Sequence, residues 1–276
     1  MRVPSLTLAA ASAALLAPAT PPPAPVPAAP PEAAARAAGH ERPHLPREHL
    51  VRAADVGRGD RSGRDGEPPK KRSVTAADLL ARVRDCDPVS NGLYRTDAGR
   101  PATVPVCGTP EAVHWKADMD IDCDGRPGPR CNSRTDPYFS AGTSSAQSDG
   151  RPLDAETLPF VVVPAPSGVW NHRDDAVRGG SVAALVYRDR VRYAVVGDTG
   201  PADVIGEASY AAAEALGIPA DPHAGGTDSG VTYIVFKDSE AEPIESREAA
   251  ETQGERLARA FVDGGRPAPP ETQTFR

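Results

Sequence analysis

Two acidic residues in the second half of the chain have the types and spacing needed for acid–base chemistry. Asp198 and Glu207 stand nine positions apart, and each directly follows a glycine. Because glycine lets a bulky ligand approach the backbone, both carboxylates could reach a large substrate. Hydrolysis of a glycosidic bond uses such a pair, one carboxyl to protonate the leaving oxygen and one to activate water. The simpler alternative to a catalytic pair is that Asp198 is an ordinary turn residue and Glu207 an acid in the first turn of a helix.

The residues around this pair predict a strand, a turn and a helix. The apolar run 194–196 predicts a buried strand that ends at Gly197. Asp198 then begins a run of turn-forming residues, so its side chain is expected to be open to water. Residues 208–216 have the composition of a helix that follows Glu207. We therefore expect the two carboxylates at the two sides of one turn.

A second acidic pattern precedes this region. Asp118, Asp120, Asp122 and Asp124 fall at every second position, which on a strand would place all four side chains on one face. Four like charges in a row are unfavourable unless cations or solvent offset them. The row therefore predicts either a face toward a cationic ligand or a solvated strand edge. It also matches the start of an EF-hand loop, but the twelfth position is Cys131 instead of Glu, so no metal site is expected.

The first part of the chain predicts export. Residues 1–19 combine a positive start with the apolar run Leu6–Leu16 and small residues, as a secretion signal does, and the run is too short to span a bilayer. Residues 20–72 are rich in Pro and Ala and then in charge, which predicts a disordered linker. The folded domain is expected over 73–276, with a helical tail at 246–263. A secreted, extracellular protein follows.

Four cysteines lie within the expected domain. An even number in an exported chain predicts two disulfides, and four cysteines allow three connectivities. Short loops favour Cys86–Cys107 and Cys123–Cys131. The spacings lack the paired two-residue knuckles of structural zinc sites.

The charge of the expected domain bears on its partners. From Ser73 onward, 20 Lys and Arg face 31 Asp and Glu, a balance of −11, whereas the whole chain carries −7. Such a domain repels phosphates and attracts cationic polymers. We expect a monomer with a cationic substrate, and neither nucleic acid nor membrane as a partner.

The strand and turn pattern indicates the fold class. Many short apolar runs alternate with glycine-containing turns, and three segments have modest helical character. The pattern predicts a mainly β or α+β domain, with the strands arranged as a barrel and few helices.

The acidic row at 118–125, the segment 193–198 and the segment 205–209 together resemble the chitosanases of glycoside hydrolase family 75. The resemblance covers roughly residues 73–239. It implies a double-psi β-barrel-like core and endo-hydrolysis of β-1,4 linkages between glucosamine units of chitosan, with inversion at the anomeric carbon and without a cofactor. The essential Asp and Glu of the family correspond to Asp198 and Glu207.

The resemblance also implies roles for individual residues. Glu207 would be the general acid, with its pKa raised by apolar neighbours, and Asp198 the ionised general base; the sequence leaves an exchange of these roles open. The acidic row would hold ammonium groups of the substrate, although some of its members could hold the fold instead. Candidates for stacking on sugar rings are Trp115, Tyr138 and Trp170, together with Tyr193, which is equally a core candidate.

Two other functions are compatible with the sequence. A secreted barrel with an acidic groove could bind or loosen polysaccharide without hydrolysis, as expansin-like modules do, but that function requires no acid–base pair. A calcium-stabilised structural domain could instead use the aspartate row, and a chelator would then lower its melting temperature.

Overall fold

The computed structural model describes residues 73–264. The predicted secretion signal and linker, and the last residues of the predicted domain, lie outside the described residues. The described chain contains, in order, α1 (Ala76–Arg82), β1 (Cys107–Gly108), β2 (Ala112–Asp122), β3 (Phe160–Pro164), a 3-10 turn (His172–Asp175), β4 (Val182–Tyr187), β5 (Arg190–Gly200), β6 (Glu207–Ser209), α2 (Tyr210–Leu216), β7 (Thr227–Phe236) and α3 (Arg247–Val262).

Six strands close into a barrel. Their order is β2-β6-β3-β5-β4-β7, and β7 pairs back onto β2, while β1 adds to β2 outside the ring. The pairs β2–β6 and β3–β5 are parallel. The pairs β2–β7, β4–β5, β4–β7 and β3–β6 are antiparallel. With three helices in the described part, this architecture confirms the predicted mainly β class and its double-psi-like barrel core.

The strands bury side chains on both faces. One hydrophobic cluster takes residues from all six barrel strands, and a second lies between the sheet and the helices α1 and α3. On β5, Ala194 and Val196 belong to the first cluster and Val195 to the second, as the alternation of a strand requires. Phe236 of β7 meets Phe261 of α3 edge to face at 5.9 Å. Within residues 73–264, no helix has the length and apolar character needed to cross a membrane.

Two tryptophans predicted to stack on sugars belong to the core. Trp115 is 1% exposed and lies parallel to the ring of Tyr233, with 5.2 Å between centroids. Trp170 is 3% exposed, and its indole N–H donates to the Asp175 carboxylate at 2.8 Å. Neither ring presents a face to solvent, so these two predictions are wrong. Tyr193 likewise packs in the second cluster.

Two disulfides join the cysteines as the short-loop argument predicted. Cys86 pairs with Cys107 and Cys123 with Cys131, which confirms this connectivity among the three. The first ties the segment after α1 to β1. The second closes the loop that begins directly after β2, where the acidic row ends. Cross-links of this kind stabilise a fold mainly by restricting the unfolded chain.

Candidate active site

Asp198 lies inside β5, so the prediction of a turn starting at this residue is wrong. The parallel partner β3 pairs with β5 on both sides of Gly197: Val161 stands opposite Val196, and Val162 opposite Asp198. Gly197 is the extra, unpaired residue of a bulge, and the ladder continues beyond it. As a result Asp198 and Val162 line the same cleft.

Main-chain hydrogen bonds fix the orientation of the Asp198 carboxylate. Its Oδ1 accepts the N–H of Ser144 and the N–H of Thr199, both at 2.7 Å. Asp198 is 8% exposed, so it is less open to water than a turn position would be. Ser144 comes from the long loop at 132–154, a length that is typical of binding loops. Two donors on one oxygen hold the carboxylate in place while its other oxygen keeps its capacity to accept a proton.

Glu207 begins β6 and stands opposite Asp120 of the parallel strand β2. The residue before it, Gly206, has φ +122°, and a Cβ there would lie 2.0 Å from Asp118 Oδ1, so glycine is required. The helix predicted to follow Glu207 directly starts later, after β6, with Ser209 as its N-cap. Burial raises the pKa of Glu207 to about 7, and the charges of Asp120, Asp124 and Asp198 add to the rise.

The acidic row spans two cavities, and Asp120 lines both. Asp120, Asp122 and Asp124 line the cleft that also contains Asp198 and Glu207. Asp118 is buried and lines an adjoining cavity instead, at the point where the β2–β7 register shifts. Three of the four thus share one cleft, although Asp124 lies beyond the end of β2 and so is not part of a strand face. Burial is the largest cause of the raised pKa values of Asp120, Asp122 and Asp124, and neighbouring carboxylates add to each.

The cleft has a volume of about 620 Å³ and an unusually acidic lining. Among the described residues, its lining has no Lys or Arg and has eight carboxylates, those of Asp97, Asp120, Asp122, Asp124, Asp136, Asp198, Glu207 and Asp221. Tyr138 also lines it and is 91% exposed, so its ring is available to a ligand. Such a concentration of negative charge attracts cations and raises their local concentration.

Several of these residues carried no signal that sequence reasoning could use. Asp97 lies in a loop before β1 and Asp221 in a loop after α2, each as one acid among ordinary turn residues. His223 lines the cleft beside Asp221. Asp136 lies in the same long loop as Tyr138. The length of that loop was the one indication in the sequence that it could bind a ligand. Closure of the barrel brings these loops together, and no local pattern records it.

Comparison with known proteins gives a family match and a relative. Residues 119–262, more than half of the 276, match the family described as fungal chitosanase of glycosyl hydrolase group 75. A relative, endo-chitosanase C of Aspergillus oryzae, is 30% identical over 134 residues, which is 47% of this chain and 33% of the relative. The alignment therefore spans about one third of that relative's length. The family match includes Asp198, Glu207 and the acidic row from Asp120 onward. The chain therefore belongs to the fungal chitosanase family of glycosyl hydrolase group 75, as the resemblance predicted.

Proposed function

We propose that the protein is an endo-chitosanase that hydrolyses β-1,4 linkages between glucosamine units of chitosan with inversion at the anomeric carbon. The observation that carries this proposal is one cleft that combines the Asp198–Glu207 pair with a lining of eight carboxylates and no Lys or Arg among the described residues. Chitosan is a cationic polymer, and a cleft of this charge favours it over neutral or anionic polysaccharides. Membership of the chitosanase family supports the same substrate.

In the proposed reaction Glu207 is the general acid. A pKa of about 7 keeps its carboxyl protonated in mildly acidic solution, where an ordinary glutamate has lost its proton. It donates that proton to the glycosidic oxygen as the bond from this oxygen to the anomeric carbon breaks. The leaving sugar thus departs as a neutral alcohol, and Glu207 becomes a carboxylate.

Asp198 is the proposed general base. Its carboxylate takes a proton from water while the water oxygen forms a bond to the anomeric carbon from the opposite face. An inverting reaction needs about 6.5–9.5 Å between the two carboxyl groups to admit this water. The N–H groups of Ser144 and Thr199 hold Asp198 in one orientation during the transfer. Carboxyl groups and water supply the whole proton transfer, so we propose no catalytic cofactor.

Substrate binding is assigned to two kinds of side chain. Asp122 and Asp124 would hold ammonium groups of glucosamine units, which also offsets the repulsion between these two acids. Tyr138 offers an exposed ring at the cleft, and the apolar face of a sugar could stack on it.

We also propose that the domain acts outside the cell as a monomer. Its two disulfides are typical of oxidising compartments. Residues 1–19 would then be the export signal and residues 20–72 a linker before the catalytic domain.

The experiment that tests the proposal is release of reducing ends from highly deacetylated chitosan by the purified chain. An endo-enzyme should lower the viscosity of the solution early, while few ends have been released. Proton NMR of the first products should show the anomer opposite to the β-linkage of the substrate. If the folded protein binds chitosan but releases no ends, the acidic cleft is a binding surface and the hydrolase proposal fails.

The raised pKa of Glu207 predicts how the rate depends on pH. Activity should fall as pH rises through about 7, since Glu207 then loses the proton it must donate. Asp124→Asn removes one of the negative charges that raise this pKa, so the pKa of Glu207 should fall. The alkaline limb of the pH–rate profile should therefore move to lower pH, by at least about 0.3 unit. Asparagine can still accept the N–H of Ser140 that Asp124 accepts at 2.7 Å.

The measurement is a pH profile of kcat/KM for the wild type and the variant on the same chitosan. Titration of the substrate is then common to both profiles, and their difference reports on the enzyme. Asp189→Asn, an exposed acid in the turn between β4 and β5, is the matched control and should leave the limb in place. A limb that moves to higher pH in Asp124→Asn would contradict the assignment of Glu207 as the acid.

A further inference from the structure

A second acidic cavity adjoins the cleft. It has a volume of about 410 Å³, and the carboxylates of Asp97, Asp118, Asp120 and Asp228 line it. Asp97, Asp118 and Asp120 each place one carboxylate oxygen within 4.8 Å of the others. The first of these residues comes from the loop before β1 and the other two from β2, so the cluster joins two parts of the chain that are distant in sequence.

Asp118 is the unusual member of this cluster. It is 4% exposed, and its Oδ1 is buried without a hydrogen-bond partner among the described residues. Tyr233 donates to the main-chain carbonyl of Asp118, at 2.8 Å, and not to its carboxylate. A buried carboxylate without a partner is unfavourable, which indicates that a ligand completes this site.

The basic side chains of the described residues compensate this cluster only in part. Among the described residues lining the cavity, Arg100 is the one basic side chain, and its Nε lies 3.7 Å from Asp97 Oδ2. Both partners of this ion pair are largely exposed, so water screens it. Asp118 and Asp120 remain without a positive partner among the described residues.

We propose that this cavity binds a divalent cation, Ca²⁺, through the carboxylates of Asp97, Asp118 and Asp120. The ligands are all hard oxygen donors, as Ca²⁺ prefers, and the cluster offers neither thiolate nor imidazole. The open side of the cavity leaves room for the water molecules that Ca²⁺ takes as further ligands. The ion would supply the missing partner of Asp118 and fasten the loop of Asp97 to β2.

The proposed Ca²⁺ site is not the EF-hand loop that the sequence analysis excluded. Its ligands are two alternate strand residues and one residue from a separate loop, an arrangement that a linear motif does not represent. It also differs from the expectation that no metal is bound. The inference stands on the contacts of Asp118 and does not depend on the proposed chitosanase activity.

The test is thermal unfolding of the purified chain at pH 7 after treatment with a chelator, with and without about 10 mM CaCl₂. The melting temperature should rise by about 3–8 °C with Ca²⁺, and NaCl of equal ionic strength should not reproduce the rise. Asp97→Asn and Asp118→Asn should lose most of the rise. Asp122→Asn is the matched control, because Asp122 belongs to the separate cluster with Asp124 and Asp198, and it should keep the rise.

Two results would overturn the proposal: the absence of a rise in the wild type, or a rise that Asp122→Asn abolishes and Asp97→Asn keeps. If Asp118→Asn fails to fold, the half-buried Asp97 still gives the answer, because its substitution removes the negative charge of one ligand without disturbing the core. Calorimetric titration should show one Ca²⁺ per chain in the wild type. These readouts require no substrate, so failure of chitosan hydrolysis would leave them intact, and failure of Ca²⁺ binding would leave the hydrolase proposal standing.

Discussion

Replacing Glu207 with Gln is expected to lower kcat on chitosan by at least about a hundredfold, because the amide has no proton to donate to the leaving oxygen. The substitution preserves shape and removes a carboxyl whose pKa is raised to about 7 by burial and by like charges. The folded protein should therefore be at least as stable as the wild type at neutral pH, where the buried carboxylate is otherwise charged. KM should change far less than kcat, since binding depends on the other carboxylates of the cleft.

Asp198→Asn should cause a loss of similar size by removing the base that accepts a proton from water. The asparagine Oδ1 can still accept the N–H groups of Ser144 and Thr199, so the loop around the site should keep its position. Melting temperature and circular dichroism establish that each variant is folded. Glu248→Gln, an exposed acid in the first turn of α3, is the control and should retain full activity. Full activity in either cleft variant would remove that residue from the mechanism.

The fold was predictable where local patterns decide the structure. The pattern Thr75-x-x-Asp78 is typical of a capping box, and the two residues form one at the start of α1, with main-chain N–H to side-chain bonds in both directions. The apolar run 182–187 is typical of a buried strand and forms β4, and the helical tail predicted at 246–263 is α3 within a residue at each end. In these segments composition and periodicity agree with the tertiary contacts, so sequence alone was sufficient.

The predictions failed where a distant strand overrides a local preference. Gly197, Thr199 and Pro201 favour a turn around Asp198, but the ladder with β3 continues past Gly197 through a bulge. A strand that is parallel and far away in sequence leaves no trace in the residues that it pairs with. The position of Asp198 in the cleft therefore depends on the barrel and could not be read from its own segment.

The case of Trp115 is different, because the sequence contained the answer. Trp115 is at an odd position and the aspartates of β2 at even ones, so the alternation used for the acidic row placed the ring on the opposite face. That face is the hydrophobic cluster in which Trp115 lies against Tyr233. The error came from judging the residue by its type, since a tryptophan next to a row of acids suggests stacking on a sugar ring.

Gly200→Ala is expected to reduce kcat by about 10- to 100-fold while the melting temperature changes little. A Cβ at this position would lie 2.6 Å from Glu207 Oε2 and 3.0 Å from Val162 Cγ1. The nearest atom is the end of a flexible side chain, so the Glu207 carboxyl can move away at small cost in stability. That movement displaces the proposed acid from the glycosidic oxygen, and a displacement of about 1 Å is enough to cause a loss of this size.

A double-mutant cycle separates this effect from a general disturbance of the cleft. If the methyl group acts by moving Glu207, Gly200→Ala should add almost nothing to the loss already caused by Glu207→Gln. If it acts by blocking substrate or the attacking water, the two losses should multiply, and the inference about Glu207 would be wrong. Gly168→Ala is the control, since a Cβ there meets no atom within 4 Å and both rate and stability should be unchanged. The cycle thus asks whether the close approach of Gly200 to Glu207 is what holds the acid in its working position.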